Sequence, residues 1–483
     1  MTTQPGDMDL CYMPATEQMS LFRQGKLSPC EVLEAQLRRM EAHNTTLLAV
    51  TEAHVDEARA MARESGERYR RGEGIRPLEG LTMAVKDEVG IKGWRITAGA
   101  LANRQASPAI EDCSFGSCLR ASGAVLHVQT NVPEYYCNVV TWNRLWGITR
   151  NPWNQAFSPG GSSGGSAAAL AAGFSTLATG SDMGGSIRIP ASQCGLFGFK
   201  PPYGRVATSL MQMESEGPLA RNFADMALMQ DACSGPSPRM PSTLKPRLAY
   251  PMEYPEVRGL VVAVDFMDAW GIPLDVSVRK GLEDACARLE AAGARVEEVD
   301  LGLRATDFEI YAQKLFSTYM ADYCFEACRK APDQATPYLL GMVSRYGNVP
   351  RSAVLAADQW VENRSRHIQE QVFQRGMSAI LMPTLVTPYL PADLGRVPER
   401  SSITINGEEH AVSDWEYSMT WLWNMMGWYP VVNVPAGQAA NGMPVGIQVV
   451  GNTYEDLEAF RVANALAETG PAFFRGELFP DVS

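Results

Sequence analysis

Two segments of the chain combine serine hydroxyls with a glycine-rich backbone, a combination that can present a nucleophile to a substrate. The first, Ser158-Pro-Gly-Gly-Ser-Ser-Gly-Gly-Ser166, leads directly into an alanine-rich run over residues 167–172. Glycine and serine favour tight turns and alanine is a strong helix former, so we expect this loop to feed a helix N-terminus. Such an end presents unpaired N–H groups and a positive dipole, which stabilise an anion. The second segment, Gly180-Ser-Asp-Met-Gly-Gly-Ser-Ile-Arg-Ile-Pro190, repeats the Gly-Gly-Ser pattern, which is hard to explain as a linker.

A nucleophilic serine needs a base, and the sequence offers several. Gly160-Gly-Ser-Ser-Gly164 formally matches the G-x-S-x-G elbow, but no apolar strand precedes it as that motif requires. Ser242-Thr-Leu-Lys245 matches S-x-x-K, but it lies in a proline-rich stretch and has no K-T-G partner. The histidines stand in no recognisable catalytic context: His43, His54, His127, His367 and His410. What remains is a lysine acting as the base for a serine, a known variant of the triad.

With these motifs the sequence resembles the amidase signature family, serine hydrolases that cleave amides and sometimes esters or carbamates. The resemblance covers roughly residues 75 to 465. The matching segments are the two glycine-serine runs with their continuation, the strand that carries the family's lysine, and the C-terminal motifs: residues 160–173, 180–191, 194–201, 204–206, 77–87, 382–384 and 434–448.

The resemblance implies a catalytic triad of Lys86, Ser162 and Ser186. Ser186 would attack the carbonyl carbon and form an acyl-enzyme, Ser162 would relay the proton, and Lys86 would be the base. The family holds its relay serine through a cis peptide bond, for which Gly161-Ser162 is the matching bond.

A lysine base has to be uncharged. An ordinary lysine amine has a pKa of about 10.4 and is protonated at neutral pH, but burial beneath an apolar sheet lowers that value. The apolar strand predicted over residues 81–85 places Lys86 suitably for this. The alternative is a structural lysine paired with Asp87.

The resemblance further implies an oxyanion hole made by the backbone N–H groups of Met183, Gly184, Gly185 and Ser186, and a substrate contact at Gly161. Two other residues resemble the family's structural ion pair, Asp182 and Arg188. The chain departs from the family where Gly180-Ser-Asp replaces Gly-Thr-Asp and Lys200-Pro-Pro replaces Lys-Pro-Thr.

A tryptophan- and methionine-rich segment over residues 414–430 predicts the substrate pocket. It contains Trp415, Trp421, Trp423 and Trp428, and such side chains make adaptable apolar walls. A buried core helix is the alternative for this segment. With Tyr136 added, the pocket favours a bulky aromatic or hydrophobic substrate, that is, an aryl amide, an anilide or an aryl carbamate (urethane).

A different function within the same family is the glutaminase subunit of a tRNA-dependent amidotransferase, which acts inside an assembly. That subunit typically shows a Ser-Leu-Asp-Gln run before Gly-Pro, whereas this chain has Ala207-Thr-Ser-Leu-Met-Gln-Met-Glu-Ser-Glu-Gly-Pro218. The aromatic C-terminal half also fits polar glutamine poorly.

The composition limits the kinds of molecule that we expect the protein to bind. The chain has 42 basic and 54 acidic residues, a formal net charge of −12, and an acidic surface repels nucleic acid. No stretch approaches the roughly 18 consecutive apolar residues of a membrane helix, and the start shows no secretion signal. We therefore expect a cytoplasmic enzyme with a small-molecule amide or carbamate substrate and no membrane contact. The sequence is also compatible with a homodimer.

Cysteine usage argues against a metal site or a disulfide framework. The chain has 10 cysteines among 483 residues, too few for a framework. The closest pairs, Cys113 with Cys118 and Cys324 with Cys328, lack both the C-x-x-C spacing and a nearby histidine. We expect buried thiols, no metal and no cofactor.

The remaining elements predict an α/β protein. Ser28-Pro-Cys-Glu31 is a capping box that begins a helix. Helices and strands then alternate: a helix over 55–71, a strand over 81–85, a helix ending at 122 before a strand over 124–128, and a βαβ unit over 260–264, 276–292 and 294–299. The resemblance implies the amidase signature fold, a large mixed sheet covered on both faces by helices.

We divide the chain into an N-terminal helical segment, residues 1–75, packed on an α/β domain formed by residues 76–483. A proline-rich surface linker is expected at about residues 234–246, and the substrate-pocket region at about residues 300–430.

Overall fold

The computed structural model describes residues 6–209, 211–397, 401–412 and 414–482. Its strands, in chain order, are β1 (Val50–Ala53), β2 (Thr82–Lys86), β3 (Val125–Thr130), β4 (Trp142–Asn143), β5 (Gly147–Ile148), β6 (Leu177–Asp182), β7 (Phe197–Lys200), β8 (Ser215–Ala220), β9 (Val261–Val264), β10 (Arg295–Glu298), β11 (Ala379–Pro383), β12 (Ser402–Ile405), β13 (Glu408–Ala411), β14 (Val431–Gln438) and β15 (Pro444–Gly451).

Within the described ranges, eleven of these strands form one sheet in the order β1-β3-β2-β6-β8-β7-β14-β15-β11-β9-β10. The sheet is mixed. The pairs β3/β2, β2/β6, β11/β9 and β9/β10 are parallel, whereas the others run antiparallel. The strands β4/β5 and β12/β13 form two small separate ribbons.

The α-helices are α1 (Asp7–Tyr12), α2 (Ala15–Arg23), α3 (Pro29–Leu47), α4 (Val55–Arg71), α5 (Ser114–Ser122), α6 (Gly164–Ala171), α7 (Arg188–Cys194), α8 (Phe223–Cys233), α9 (Val276–Ala291), α10 (Phe308–Lys314), α11 (Glu326–Lys330), α12 (Pro337–Tyr346), α13 (Arg351–Gln371), α14 (Leu422–Met425) and α15 (Asp456–Thr469). Two π-helical segments, Leu315–Tyr319 and Ala321–Phe325, lie between α10 and α11. Within the described ranges, no helix is both long and apolar enough to cross a membrane.

Helices cover both faces of the sheet, and the strands alternate between two hydrophobic cores as a result. In β11, Leu381 packs into one core, whereas its neighbours Ile380 and Met382 pack into the other. In β9, Val262 and Ala263 divide in the same way. Because successive strand residues point to opposite faces, both faces of this part of the sheet are buried. This confirms the predicted α/β class with a large mixed sheet.

The local signals in the sequence position several elements correctly. Ser28 caps α3 with its side chain, and Glu31 completes the predicted capping box. The predicted helix over 55–71 is α4, which ends at Gly72 in a left-handed conformation. The predicted βαβ unit forms from β9, α9 and β10, and its two strands are parallel neighbours.

The N-terminal helices contact the sheet through a buried polar network. Thr82 at the start of β2 donates to Gln36 of α3 at 2.6 Å, and Gln18 of α2 donates to Thr176 at 3.1 Å. Tyr12 donates to the carbonyl oxygen of Ala171 at the end of α6. These contacts fix α6, and with it the glycine-serine loop, against the N-terminal segment.

Candidate active site

The last residue of β2, Lys86, lies at the centre of the site. Strand β2 runs between β3 and β6, and its run Thr82–Lys86 is buried throughout. The backbone N–H of Lys86 donates to the hydroxyl of Thr179 in β6 at 2.9 Å, which fixes the strand end. The lysine side chain is fully buried.

The amine of Lys86 contacts two hydroxyls and one carboxylate. Nζ lies 2.9 Å from Ser162 Oγ, 2.6 Å from Ser181 Oγ and 2.7 Å from Glu88 Oε2. The considered pairing of this lysine with Asp87 does not form. The Asp87 carboxylate turns the other way and accepts hydrogen bonds from the N–H of Thr97 at 2.8 Å and from Gln129 at 2.7 Å.

Ser162 stands at the entry to α6, as the glycine-serine pattern predicts. The peptide bond Gly161-Ser162 is cis. A Cβ atom at Gly161 would lie 2.7 Å from the carbonyl oxygen of Asn138, so this position accepts only glycine. Gly161 thus lies against backbone and not in the cavity wall, whereas Ser162 lines the cavity.

The loop that carries Ser186 is held by a buried ion pair. Asp182 and Arg188 are both fully buried and lie 2.7 Å apart. The Arg188 guanidinium lowers the pKa of the Asp182 carboxyl against the raising effect of burial. Asp182 also accepts the N–H of Gly185 at 2.8 Å and that of Ile187 at 3.1 Å. The ion pair therefore shapes the turn around Ser186.

The hydrogen bond from Gly185 to Asp182 changes which N–H groups can form the predicted oxyanion hole. Because the N–H of Gly185 already has a carboxylate acceptor, it is not a free donor for a substrate oxygen. The predicted donors that remain are the N–H groups of Met183, Gly184 and Ser186, and these three residues line the cavity.

Two side chains from distant parts of the chain lie in close contact with the two glycines before Ser186. A Cβ atom at Gly184 would lie 2.3 Å from the Tyr311 hydroxyl, and one at Gly185, whose φ is +124°, would lie 2.1 Å from Thr420 Oγ1. Tyr311 donates to the carbonyl oxygen of Met183 at 3.1 Å and Thr420 donates to that of Gly184 at 2.6 Å. The Gly-Gly pair is thus required by close packing against Tyr311 and Thr420.

The cavity beside these residues has a polar floor and an aromatic and apolar wall. It is lined by Glu88, Tyr136, Cys137, Asn138, Val139, Ser162, Ser181, Met183, Gly184, Ser186, Glu214, Tyr311, Leu315, Met320 and Trp415. In the described part of the chain, the lining contains no histidine. Ser162 and Ser186 thus share one cavity with the oxygens that contact Lys86.

The aromatic segment 414–430 divides between the pocket and the core. Trp415 lines the cavity, as does Tyr136. Trp421 does not: it is fully buried behind Tyr311, with ring centroids 5.5 Å apart, and also packs on Trp270 and Phe308. The segment therefore contributes Trp415 to the cavity wall and Trp421 to the core.

Three glutamates close to Lys86 were not singled out from the sequence. Glu88 and Glu214 line the cavity, and Glu216 is buried in β8. Burial, with the neighbouring Glu88 carboxylate, raises the pKa of Glu214 to about 7. The same causes raise the pKa of Glu216 well above its ordinary value. Within the described ranges, no group of His, Cys, Asp and Glu side chains has the arrangement of a metal site.

The position of Glu88, two residues after Lys86, was a signal for one of these contacts, because a three-residue turn at the end of a strand brings residues i and i+2 together. Glu88 follows the end of β2, and its N–H donates back to the Lys86 carbonyl at 2.7 Å. Glu214 and Glu216 come from beyond β7, so only the strand order brings them near.

The family model described as Amidase matches residues 31–459 of the chain. The chain belongs to the amidase family. This amidase is 31% identical over 504 residues to a glutamyl-tRNA(Gln) amidotransferase subunit of Synechococcus sp., with 96% of this chain and 98% of the relative covered. It is 30% identical to a putative amidase, AmiB2, of Mycobacterium bovis, with 96% and 97% covered.

Among solved structures, the amidase superposes on a bacterial aryl acylamidase of the amidase signature enzymes with a TM-score of 0.85 at 28% identity. The superposition covers 95% of this chain and 96% of that one. The protein is therefore an enzyme of the amide-hydrolysing class with the amidase signature fold, as the motifs predicted.

Proposed function

We propose that the amidase hydrolyses aryl amides, anilides or aryl carbamates through an acyl-enzyme on Ser186. The observation that carries this proposal is the 2.9 Å hydrogen bond between Lys86 Nζ and Ser162 Oγ in the cavity that Ser186 also lines. A lysine, a relay hydroxyl and a second hydroxyl in one cavity form a base, a proton carrier and a nucleophile.

The reaction begins when uncharged Lys86 accepts the Ser162 proton and Ser162 accepts the proton of Ser186. The Ser186 oxygen then bonds to the carbonyl carbon, and the carbonyl oxygen becomes an oxyanion. The N–H groups of Met183, Gly184 and Ser186 are the donors available to it, and removing one such donor commonly costs about 2.7 to 4 kcal/mol of barrier. The proton returns along the same path to the leaving nitrogen, and water releases the acyl group.

The aromatic wall supports a bulky apolar group on the substrate. Tyr136, Tyr311 and Trp415 line the cavity together with Leu315 and Met320. Flat rings favour stacked or edge-on contacts with an aryl group. The neighbouring aryl acylamidase structure is consistent with this substrate class.

Glutamine hydrolysis within an amidotransferase is the second candidate, because one relative at 31% identity belongs to a glutamyl-tRNA(Gln) amidotransferase. Among the described residues that line the cavity, none is a lysine or arginine whose charge could pair with the glutamine α-carboxylate. The apolar wall therefore favours the aryl substrate.

The test is hydrolysis by the purified chain of a panel of anilides, aryl carbamates, short aliphatic amides, esters and glutamine, with Ser186→Ala as the matched inactive control. We expect turnover of aryl substrates that Ser186→Ala abolishes. Turnover of aliphatic amides alone, or of glutamine alone, would contradict the aryl preference. Aryl turnover that persists in Ser186→Ala would contradict the nucleophile.

A further inference from the structure

The surroundings of Lys86 Nζ match the needs of an ammonium group. An ammonium has three N–H donors, and among the described residues Nζ meets acceptors on Ser162, Ser181 and Glu88 at 2.9, 2.6 and 2.7 Å. The ring of Tyr136 adds a cation–π contact, with its centroid 5.1 Å from Nζ. A neutral amine would leave one of these acceptors without a proton.

Glu88 is the charged member of this set. Its carboxylate accepts hydrogen bonds from both Nζ and the Ser181 hydroxyl, and its side chain is 16% exposed in the cavity wall. Ser181 in turn bridges Nζ and the carboxylate, so the three groups form a closed triangle. Such a triangle holds the amine in one place beside Ser162.

We propose that Glu88 is a positioning residue that keeps Lys86 protonated in the resting enzyme and thereby sets the pH above which Ser186 becomes a nucleophile. The inference rests on the proposed function of the Lys86, Ser162 and Ser186 site and deepens it. In the activating step, an Nζ–H bond breaks, the proton passes to solvent hydroxide, and the nitrogen lone pair becomes available to the Ser162 proton.

The other titratable groups around this pair do not replace Glu88. Just after β2, Asp87 turns towards Thr97 and Gln129. From β6, Asp182 is neutralised by Arg188. The hydroxyl of Tyr136 donates to the carbonyl oxygen of Asp87 at 3.0 Å. Burial, with the charge of Glu88, raises the pKa of Tyr323, which lies in the π-helical segment Ala321–Phe325.

Two further carboxyls face the pair from the chain around β8. Glu214 and Glu216 both feel the charges of Glu88 and Lys86, and burial is the first cause that raises the pKa of each. Glu88 is the carboxylate that contacts Nζ directly, at 2.7 Å. The Glu216 Oε2 atom has no hydrogen-bond partner within the described ranges, which fits a protonated or weakly charged group.

The test measures the rate at which a fluorophosphonate probe labels Ser186, followed by mass spectrometry between pH 6 and pH 10. In this reaction the Ser186 oxygen bonds to phosphorus, fluoride leaves, and the serine proton passes through Ser162 to Lys86. The labelling rate therefore reports the fraction of uncharged lysine without requiring an amide substrate.

Glu88→Gln removes the negative charge and keeps the shape. We expect the acid limb of its labelling profile to move to lower pH by about one to three units relative to wild type, since a nearby opposite charge commonly shifts a titration by that amount. Asp414→Asn is the matched control. Asp414 lies on the neighbouring cavity with Tyr346 and Arg345 as partners, and its removal should leave the acid limb where it is.

An acid limb that does not move in Glu88→Gln, moves to higher pH, or moves equally in Asp414→Asn overturns the inference. So does a loss of labelling by the same factor at every pH, which is what a purely structural role would give. If Glu88→Gln does not fold, Glu88→Ser, which also removes the carboxylate that contacts Nζ, provides the test, with a displacement expected in the same direction and an unmoved limb counting against the inference.

The outcome separates this inference from the proposed function. Labelling that shifts as expected in a protein that hydrolyses none of the amide panel would refute the function and retain the role of Glu88. Amide turnover with an unmoved acid limb would refute the role and retain the function. Absence of any labelling in the wild-type protein would overturn both.

Discussion

The hydroxyl of Thr420 donates a hydrogen bond to the carbonyl oxygen of Gly184 at 2.6 Å, although 236 positions separate the two residues. Four residues further on, Asn424 donates to the carbonyl oxygen of Asp182 at 2.9 Å and also contacts its carboxylate. The tryptophan-rich segment therefore does more than form a pocket wall. It also fixes the loop that carries Ser186 through these hydrogen bonds.

Replacing Thr420 by valine should reduce catalysis more than stability. The change keeps the shape but removes the donor to Gly184, at a cost in unfolding free energy of about 1 kcal/mol. Because the loop then loses a fixed position, we expect kcat to fall about tenfold, a barrier increase of about 1.4 kcal/mol, with a smaller change in KM. Steady-state kinetics on the best substrate, alongside urea unfolding, measure both.

The matched control is Thr176→Val, which removes a buried hydroxyl from the network with Gln18, Gln36 and Thr82. It should lower stability by a similar amount and leave kcat near the wild-type value. Equal kcat values for the two valine variants would show that the Thr420 contact has no special effect on the loop.

Breaking the Asp182–Arg188 ion pair should cause a large loss of unfolding free energy. Both side chains are fully buried, so Arg188→Met leaves an uncompensated carboxylate, at an expected cost of about 3 to 5 kcal/mol. Removal of Arg38 from its pair with Asp7, where the side chains are 56% and 54% exposed, should cost less than about 1 kcal/mol. Chemical denaturation at pH 7 measures the unfolding free energy of the two variants. Similar losses of unfolding free energy would show that burial does not decide how much an ion pair contributes.

The buried residue Lys200 should make the unfolding free energy of the protein depend on pH. Burial, with the nearby Arg188 charge, lowers the pKa of Lys200 from 10.5 to about 7. Between pH 7 and 10.5 the unfolded chain therefore binds more protons than the folded one, so the contribution of this residue to stability improves as pH rises through that window. Below pH 7 the full penalty of a buried ammonium is present.

Lys200→Met removes this contribution, so the variant should exceed the wild type in unfolding free energy at pH 6. The difference should shrink by roughly 2 kcal/mol by pH 8.5, at about 1.36 kcal/mol per pH unit of displaced titration. Urea unfolding at a series of pH values provides the measurement. A difference that stays constant across the series would mean that Lys200 is not the titrating group.

Substitution of Trp415 should change substrate specificity, whereas substitution of Trp421 should change stability. Trp415 lines the cavity, so Trp415→Leu should lower kcat/KM for aryl amides relative to aliphatic amides by about tenfold, the loss of roughly 1.4 kcal/mol of ring contact. Trp421 is fully buried in the aromatic core. Trp421→Leu should instead reduce stability by about 2 to 4 kcal/mol and leave the aryl-to-aliphatic ratio unchanged. A changed ratio in Trp421→Leu alone would reverse the assignment.

Sequence patterns predicted many helix and strand ends correctly, because a few neighbouring residues determine where such an element begins or ends. The capping box at Ser28 and Glu31 determines where α3 begins, and Gly72 determines where α4 ends. The apolar run before Lys86 placed that residue at the end of a buried strand, and the glycine-serine loop placed Ser162 at a helix entry. These are properties of a few neighbouring residues.

The rest depends on which strands lie side by side, and sequence patterns do not contain that information. Tyr311 and Thr420 meet the Ser186 loop only because of how the C-terminal half folds over the sheet. Glu214 reaches Lys86 only because β8 lies beside β6. The roles of Lys86, Ser162 and Ser186 themselves stay predictions, which the labelling and hydrolysis experiments address.

Arg188 Nη1 donates to Gln448 Oε1 in β15 at 2.7 Å and to the carbonyl oxygen of Thr420 at 2.9 Å. The loop that carries Ser186 is thus completed by residues that leave the ribosome long after Ser186 has emerged. A growing chain that already contains Lys86, Ser162 and Ser186 therefore lacks the partners of Arg188 until Thr420 and Gln448 have been synthesised.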